Sequence, residues 1–381
     1  MSAASSDRGL SLNRILAVLT KEFIQLTRDK LTYAMILVMP IVQLLLFGYA
    51  INSDPRDLPT AVLVQDHGPM ARSALSALAH NGYFKIVAEA ASPEELDRAI
   101  ARGQVQFALT IPADFTRRVV RGDDAQILVE VDASDPGATG AAVAALANLP
   151  RTALSRDLVG AVAQTDRAPF EVVIHRRYNP EAITAYNIVP GLLGVILSMT
   201  LVMMTALGVT REYERGTMES LMATPVRPLE VMAGKLAPYV VVGLIQTAFI
   251  LILARVLFDV PMVGGWGALG LGIMLFIIGS LALGFLFSTV ARTQLQAMQM
   301  SFFYIMPSLL LSGFMFPFRG MPAWAQALGS VIPVTHFLRV VRGSLLKGLG
   351  LFDLWTSLAA LALFVVAIAA AAMSRYRRTL D

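Results

Sequence analysis

Long apolar runs alternate with polar segments along this chain, and the alternation predicts a protein that crosses a membrane several times. Each run is close to the roughly 20 residues that an α-helix needs to span a bilayer. The runs cover Leu31–Ile51, Ile183–Val209, Leu236–Phe258, Ala268–Val290, Ala297–Phe316 and Leu354–Met373. The polar stretch Asn52–Glu181, between the first two runs, is long enough to fold by itself. We therefore expect a polytopic α-helical membrane protein with six transmembrane helices and one inserted domain.

Within the inserted stretch, short apolar strands alternate with helical segments. Strands are expected at Thr60–Val64, Tyr83–Ala88, Val105–Ile111, Gln126–Val131 and Glu171–His175, and helices at Met70–His80, Pro93–Arg102, Ala113–Arg121 and Gly140–Ala163. Ser92 and Glu95 have the spacing of a capping box at the second of these helices. The stretch therefore predicts a compact α/β domain, which we expect on the extracytoplasmic side of the membrane.

Charged residues next to the first apolar run predict its orientation. Residues 1–30 are expected to form a cytoplasmic amphipathic N-terminal helix, and Lys21 and Lys30 in it precede the run. Asp54 and Asp57 follow the run. Because Lys and Arg accumulate on the cytoplasmic side, the amino terminus is expected there, and six spans then place both termini in the cytoplasm.

Composition limits the classes of function. Hydrophobic residues make up 56% of the chain and charged residues 15%, which is typical of a membrane protein and not of a soluble domain. Residues 52–181 carry 13 Lys and Arg against 17 Asp and Glu, so the basic excess belongs to the membrane part and no basic patch indicates nucleic-acid binding. The chain has no cysteine, which excludes disulfides and thiolate metal ligands.

The polar loop at residues 210–235 lies between two membrane-length runs and is dense in charge. Thr217 is placed to cap a short helix with Glu219 in its first turn, where a carboxylate suits the positive helix end. Pro225 ends that helix, and Pro228 opens the next one. The pattern predicts a short helix at the membrane surface that is suited to docking a soluble partner. A solvated connector is the alternative.

The residues of this loop also resemble a known signature. The runs E-R-G-T-M-E-S-L (Glu214–Leu221), A-T-P-V-R-P-L-E (Ala223–Glu230) and G-K (Gly234–Lys235) are similar to the cytoplasmic signature of ABC type 2 exporter permeases. In that family the segment is the coupling helix that rests on a separate ATPase subunit. The resemblance implies an ATPase-coupling role for Glu212, Glu214, Arg215, Gly216, Thr217, Glu219, Ser220 and Leu221.

The same resemblance implies a permease in the bacterial inner membrane that pairs with an identical or homologous permease and with cytoplasmic ABC ATPases. The size of the outer domain resembles the branch that exports drugs or lipophilic compounds, in which such a domain meets a periplasmic adaptor. The chain contains no G-x-x-x-x-G-K-[ST] motif. ATP and Mg are therefore expected on the partner ATPase, and no cofactor is expected on this chain.

The segment Pro317–Gly350 conflicts with the charge rule, because it is expected outside yet carries Arg319, Arg339, Arg342 and Lys347 and no acidic residue. Apolar residues recur in it at helical spacing, which predicts an amphipathic helical hairpin shallowly buried at the outer interface. The stripe consists of Val334, Phe337, Leu338, Val341 and Leu345. A plain surface helix is the alternative.

Two runs in this segment, F-M-F-P (Phe314–Pro317) and P-V-T-H-F-L-R-V-V-R-G (Pro333–Gly343), resemble the re-entrant outer hairpin of the same family. The resemblance implies that the hairpin seals the outer mouth of the transport pathway. Its candidate residues are Pro317, Pro333, His336, Arg339, Arg342 and Gly343.

A few polar residues lie within the predicted spans. Asn187, Gln246 and Thr247 are candidates for the substrate pathway or the dimer seam. The alternatives are hydrogen bonds between helices for Gln246 and Thr247, and easier helix entry for Asn187. Four glycines, at 270, 272, 279 and 284, predict close helix contacts.

Other classes of function have weaker support. A secondary carrier usually needs a carboxylate inside the membrane, and no predicted span contains one. A membrane-anchored sensor is the other alternative, but neither class explains the loop signature. Catalysis is not expected from Asp66 beside His67, since adjacent residues of an extended chain point to opposite faces. The scattered residues His67, His80 and His175 predict no metal site.

Overall fold

The computed structural model describes residues 55–155, 168–214 and 228–378. The predicted N-terminal helix (1–30), the first predicted span (31–51) and residues 215–227 of the polar loop lie outside these residues.

Residues 58–177 form a five-stranded α/β unit. Its strands are β1 (Leu58–Val64), β2 (Phe84–Glu89), β3 (Phe107–Ile111), β4 (Gln126–Asp132) and β5 (Glu171–Arg177), in the order β2-β1-β3-β4-β5. Neighbouring strands are parallel except β3 and β4, which pair antiparallel with Leu109 opposite Val129. The five predicted strands agree with these to within two residues at each end. The location of the unit outside the cytoplasm stays a prediction.

Helices cover the sheet because its side chains alternate between two apolar cores. The helices are α1 (Pro69–Ala79), α2 (Pro93–Ala101), α3 (Phe115–Arg121), α4 (Pro136–Leu146) and α5 (Leu149–Thr152). Leu58 and Val62 of β1 share one core with residues of α1 and α3. Ala61 and Leu63, one step along the same strand, share the other core with Leu96 of α2.

Two details of this unit differ from the prediction. The single helix expected at 140–163 ends at Leu146, because Pro150 has no amide hydrogen to donate to the Leu146 carbonyl oxygen. The helix α2 begins after Ser92 as expected, but Ser92 makes no capping bond. Glu95 accepts instead from the amide of Ala91 at 2.9 Å, and the Ser92 hydroxyl bonds to Glu94.

The rest of the described chain is helical. Its long helices are α6 (Thr184–Glu214), α7 (Pro228–Phe258), α8 (Trp266–Val290), α9 (Gln294–Leu311) and α12 (Trp355–Arg378). Four stretches in them are long and apolar enough to cross a membrane: Thr184–Glu212, Leu236–Phe258, Trp266–Val290 and Trp355–Arg375. They coincide with four of the predicted spans. Pro228 opens α7, as the sequence predicts.

The predicted span Ala297–Phe316 is not among these four. Helix α9 has only 18 residues and begins with a glutamine-rich turn, which lowers its hydropathy. It ends at Leu311, and Gly313 has a positive φ of 84° that a continuing helix does not allow. The apolar residues after Leu311 therefore belong to a turn, and six spans remain a prediction.

Helix α8 lies at the centre of the bundle. Of its apolar window 67% is buried, compared with 22% for both α7 and α12, whose outer faces are left exposed. A Cβ on Gly284 would stand 2.5 Å from the carbonyl oxygen of Val202 in α6, so only glycine permits this approach. Gly272 and Gly279 are also in close contact, as predicted, but nothing lies within 4 Å of a Cβ on Gly270.

The predicted hairpin consists of a 3₁₀ turn (Phe318–Gly320), α10 (Ala323–Val331) and α11 (Pro333–Lys347). The whole predicted apolar stripe of α11 is buried, but so are Val340 and Leu346 outside it. Phe337 stacks on Phe276 of α8 with ring centroids 4.1 Å apart. The alternative of a plain surface helix is therefore wrong, because α11 packs into the core of the bundle.

Candidate functional site

Most of the candidate residues fall into two groups at opposite ends of α6. We call the last turn of α6 with the start of α9 the coupling end, and the first turn of α6 with the hairpin and the adjoining α/β unit the domain end. A third, smaller group lies between them on α7.

At the coupling end, Glu214 joins α6 to α9. Its carboxylate accepts hydrogen bonds from the backbone amide of Gln294, at 2.7 Å, and from the side-chain amide of the same residue. The Gln294 side-chain oxygen in turn accepts from Arg211 Nε at 3.2 Å. Hydrogen bonds from the Gln294 side chain and backbone lower the pKa of Glu214. The negative charge lies at the positive end of α9, where it is stabilised.

Sequence reasoning missed Gln294. The signal that was available is the pattern T-Q-L-Q at 293–296, which has the spacing of a capping box. Thr293 accepts from the Gln296 amide at 3.2 Å, and Gln296 accepts from the Arg292 amide at 2.9 Å. The capped helix start orients the Gln294 amide toward α6.

The other coupling candidates are only partly described. Glu212 lies in the last turn of α6, two residues before Glu214. The residues Arg215, Gly216, Thr217, Glu219, Ser220 and Leu221 lie outside the described part of the chain, so their coupling role stays a prediction.

Between the two ends, Gln246 of α7 donates through Nε2 to Thr200 Oγ1 of α6 at 3.2 Å. This contact favours the alternative that Gln246 holds two helices together. The Thr247 hydroxyl donates to the Gly243 carbonyl oxygen within its own helix at 2.7 Å. Thr247 also lines an apolar groove of about 550 Å³ between α7 and α8, together with Leu251 and Ile273.

At the domain end, Asn187 connects three parts of the molecule. Its side-chain nitrogen donates to Asp135 Oδ1 of the α/β unit at 2.8 Å, and its side-chain oxygen accepts from Arg342 Nη2 of α11. Arg342 Nη1 also donates to the Gly313 carbonyl oxygen at 3.1 Å. Burial raises the pKa of Asp135, against the opposite effect of the Arg342 charge. The amide of Asn187 thus links a half-buried carboxylate to a half-buried guanidinium.

A second connection joins α11 to β4. Lys347 Nζ bonds to Asp132 Oδ2, and both side chains are only 9% exposed. The Lys347 ammonium also lies 5.2 Å from the ring centroid of Tyr178. Ser134 donates to the other Asp132 oxygen at 2.7 Å. The acidic partners of two of the four basic hairpin residues, Lys347 directly and Arg342 through Asn187, are therefore in the α/β unit.

The remaining hairpin candidates have different surroundings. The guanidinium of Arg339 lies 4.9 Å from the ring centroid of Phe318. His336 Nε2 bonds to the Ser330 carbonyl oxygen at 2.8 Å, and burial lowers the pKa of His336. Pro317 precedes the 3₁₀ turn and Pro333 is the first residue of α11. A Cβ on Gly343 would stand 2.9 Å from Leu354, so Gly343 lets α11 approach the start of α12.

A cavity of about 440 Å³ lies between the hairpin and the α/β unit. Asp132, Asp135, Arg319, Arg342 and Lys347 all line it, so its walls are strongly charged. By contrast, the groove beside Thr247 is apolar apart from that residue and Arg255.

Three of the residues considered for catalysis or metal binding, Asp66, His80 and His175, have structural partners. Asp66 accepts hydrogen bonds from the amides of Gly68, at 2.7 Å, and Thr116, at 2.5 Å, and so joins β1 to α3. His80 bonds to the Ser76 carbonyl oxygen and His175 to Glu130. Among the described residues, no three His, Asp or Glu side chains gather as a metal-binding group.

Comparison with known proteins decides the family. Residues 30–373 match the family model described as ABC-2 family transporter protein. The chain belongs to the ABC-2 family. As an ABC-2 permease it is a multi-pass membrane protein, and the resemblance found in the loop and the hairpin is confirmed at the level of the family. The roles of single residues stay predictions.

Several relatives are similar over nearly the whole chain. "Probable multidrug ABC transporter permease YbhR" of Escherichia coli (strain K12) is 25% identical over 96% of this chain and 99% of its own length. "Probable multidrug ABC transporter permease YbhS" of the same organism is 29% identical over 89% of this chain and 90% of its own length. A solved domain of a "putative ABC type-2 transporter" from Thermotoga maritima MSB8 is 21% identical, with a TM-score of 0.27, over 31% of this chain and 84% of that domain. A TM-score this low carries no structural argument.

Proposed function

We propose that this chain is the transmembrane permease subunit of an ATP-binding cassette exporter. It moves a lipophilic or drug-like substrate out of the cytoplasm or the inner membrane, and a separate subunit hydrolyses the ATP. The observation that carries the proposal is the family match, which spans residues 30–373. The names of the two nearly full-length relatives, both multidrug ABC transporter permeases, support the class of substrate.

The apolar groove between α7 and α8 supports a lipophilic substrate. Its volume of about 550 Å³ lies in the range of small-molecule sites, and its lining is hydrophobic except for Thr247 and Arg255. Arg255 is neutralised by an ion pair with Asp259 at 3.0 Å. A molecule without charge would therefore fit this groove better than an ion.

The proposed partners are a cytoplasmic ABC ATPase, a second identical or homologous permease, and a periplasmic adaptor. One observation supports partners within the membrane: the apolar windows of α7 and α12 are only 22% buried, so these helices have faces for lipid or another permease. ATP and Mg bind to the ATPase, since this sequence has no P-loop motif. The complex lies in the bacterial inner membrane with both termini of this chain in the cytoplasm.

The mechanism we propose begins at the coupling end. Closure of the ATPases pushes on Glu212–Met222, and the Glu214 contact with Gln294 passes the displacement to α6 and α9 together. Helix α6 carries it to the domain end, where its first turn meets the hairpin through Asn187. The substrate then leaves beneath the hairpin at Phe316–Leu346.

The test is to purify the full chain from its native host in a mild detergent and to identify bound proteins by mass spectrometry. We expect a P-loop ATPase whose hydrolysis rate the permease stimulates. Glu219→Lys should remove the stimulation without loss of assembly, because it reverses a charge on the proposed docking helix. Glu171→Lys, on the exposed end of β5, is the matched control and should leave stimulation unchanged. Absence of a P-loop ATPase from the purified complex would contradict the proposal, as would full stimulation by Glu219→Lys.

A further inference from the structure

Basic side chains outnumber acidic ones in the lining of the charged cavity at the domain end. Its volume of about 440 Å³ is within the range of small-molecule sites. Three carboxylates and five basic side chains line it: Asp132, Asp135, Asp353, Arg102, Arg319, Arg339, Arg342 and Lys347. Each of these side chains has contacts that show which charges are balanced.

The three carboxylates are matched by three of the basic residues. Asp132 pairs with Lys347. Asp353 pairs with Arg102 at 3.3 Å. The third carboxylate, Asp135, is joined to Arg342 through the Asn187 side chain, as described above. After these pairs are counted, two arginines that line the cavity have no matching carboxylate.

The two remaining arginines are Arg319 and Arg339. Arg319 donates to the carbonyl oxygens of Gly103 and Gln104, and Arg339 lies over the Phe318 ring. Within residues 55–155, 168–214 and 228–378, neither has a carboxylate at ion-pair distance. Desolvation lowers the pKa of both, and the positive charge of Arg319 lowers the pKa of Arg339 further, whereas the charge of Asp132 acts in the opposite direction on the pKa of Arg319. Arg319 is half-buried and Arg339 is exposed, and neither is matched to a carboxylate as the other three cations of the cavity are.

Polar atoms without partners lie on the same cavity. The Ser312 side chain is only 3% exposed, and its hydroxyl has no hydrogen-bond partner in the described chain. Arg342 Nε and Gln106 Oε1 are likewise buried without a partner there. A buried donor without an acceptor is costly, so an acceptor placed in the cavity would be stabilised by Ser312 and Arg342.

We propose that this cavity is a binding site for a phosphate group, with Arg319 and Arg339 as its cationic ligands and Ser312 and Arg342 Nε as further donors. A phosphate monoester carries roughly −1.5 to −2 charges at neutral pH, which matches two unpaired guanidinium groups better than a single carboxylate does. The planar fork of arginine also suits the bidentate geometry of phosphate oxygens. The phosphate belongs either to a lipid or other amphiphile or to a small soluble ion. The site is a property of the cavity and does not depend on the proposed export function.

The test is isothermal titration of the purified full chain, in a neutral detergent, with two probes: inorganic phosphate and hexyl phosphate. We expect saturable binding that Arg339→Gln and Arg319→Gln each weaken roughly tenfold or more, as the loss of a charge-assisted hydrogen bond predicts. Arg339→Lys keeps the charge but loses the fork, so its affinity should fall between wild type and Arg339→Gln. If hexyl phosphate binds more tightly than inorganic phosphate, the ligand is amphiphilic. If the two probes bind with equal affinity, the ligand is a soluble one.

Arg118→Gln is the matched control, because Arg118 lies on α3, away from the cavity and the groove, and is already paired with Asp114 at 2.6 Å. It should bind both probes as the wild type does. The proposal is wrong if neither probe binds at millimolar concentration, or if Arg118→Gln weakens binding as much as Arg339→Gln. Melting curves without ligand show that each variant is folded before it is titrated.

Discussion

The two ends of α6 are held in opposite ways. At the domain end, the first turn is joined through the buried Asn187 side chain to the half-buried groups Asp135 and Arg342. At the coupling end, the last turn is joined to α9 by exposed hydrogen bonds between Glu214 and Gln294. The polar contacts at the domain end are therefore largely buried, whereas those at the coupling end are exposed to solvent.

This difference matters for transmission because buried and exposed polar contacts respond differently to disturbance. An exposed contact is weakened by salt and exchanges readily with water. A buried charged network is costly to break once one member is removed. Along its length α6 is also held against α8, where Gly284 allows the two backbones to touch. We expect a displacement applied at the coupling end to move α6 as a rigid unit and therefore to shift the hairpin as well.

The largest expected effect follows from removing a buried charge at the domain end. Asp132→Asn leaves Lys347 buried without its partner, which should lower the free energy of unfolding by about 3–5 kcal/mol. The measurement is thermal or denaturant unfolding of the full chain in detergent. The control is Asp97→Asn, since Asp97 pairs with Arg177 but is 51% exposed, and it should cost at most about 1 kcal/mol. Equal losses in the two variants would remove the distinction between buried and exposed pairs.

A smaller loss is expected from the amide that links α6 to this network. Asn187→Leu removes one hydrogen-bond donor and one acceptor, and leaves Asp135 and Arg342 without that link. The expected cost is about 1–3 kcal/mol, measured by the same unfolding experiment. The double variant Asn187→Leu with Asp135→Asn should recover part of the loss, because the carboxylate then no longer needs to be solvated. If Asn187→Leu is as stable as wild type, the domain end is not held by this link.

The smallest effect is expected at the coupling end. Glu214→Ala should leave the global melting temperature unchanged, because the contact is exposed, but should speed hydrogen exchange at the Gln294 amide. In the wild type, the Gln294 amide should be protected from hydrogen exchange at pH values above the ordinary glutamate pKa. This protection should be lost as the pH falls through the lowered pKa of Glu214, because the protonated form is a weaker acceptor. Unchanged exchange at Gln294 in the variant would show that this contact does not form in solution.

Local patterns in the sequence predicted the elements well. Alternation of apolar residues located the five strands of the sheet, and apolar length located four spans. The predicted stripe on α11 is buried as expected, but its neighbours Val340 and Leu346 are buried too, since α11 meets other helices on several sides. A periodic pattern reports one buried face and does not show that a second face is covered by distant parts of the chain.

The polar contacts were less accessible to sequence reasoning. Asp132 and Lys347 are 215 positions apart, so no local spacing identifies them as partners. The same holds for Asn187 and Arg342, although each was chosen as a candidate by itself. Gln294 was missed because a glutamine at a helix start has many ordinary explanations. The fifth predicted span stays a prediction: its helix ends at Leu311 and the backbone turns at Gly313, although apolar composition continues past that point.

The most direct test of transmission along α6 is the accessibility of a single cysteine at Ser312. The wild-type chain has no cysteine, and Ser312 is 3% exposed on the cavity at the domain end, so Ser312→Cys introduces one small buried thiol. In the complex reconstituted with its ATPase, we predict that ATP raises the rate at which a membrane-impermeant maleimide modifies this thiol. The rise should disappear with Glu214→Ala and persist with the control Glu171→Ala. A modification rate that ATP does not change, or that rises equally in the Glu214→Ala variant, would contradict the account.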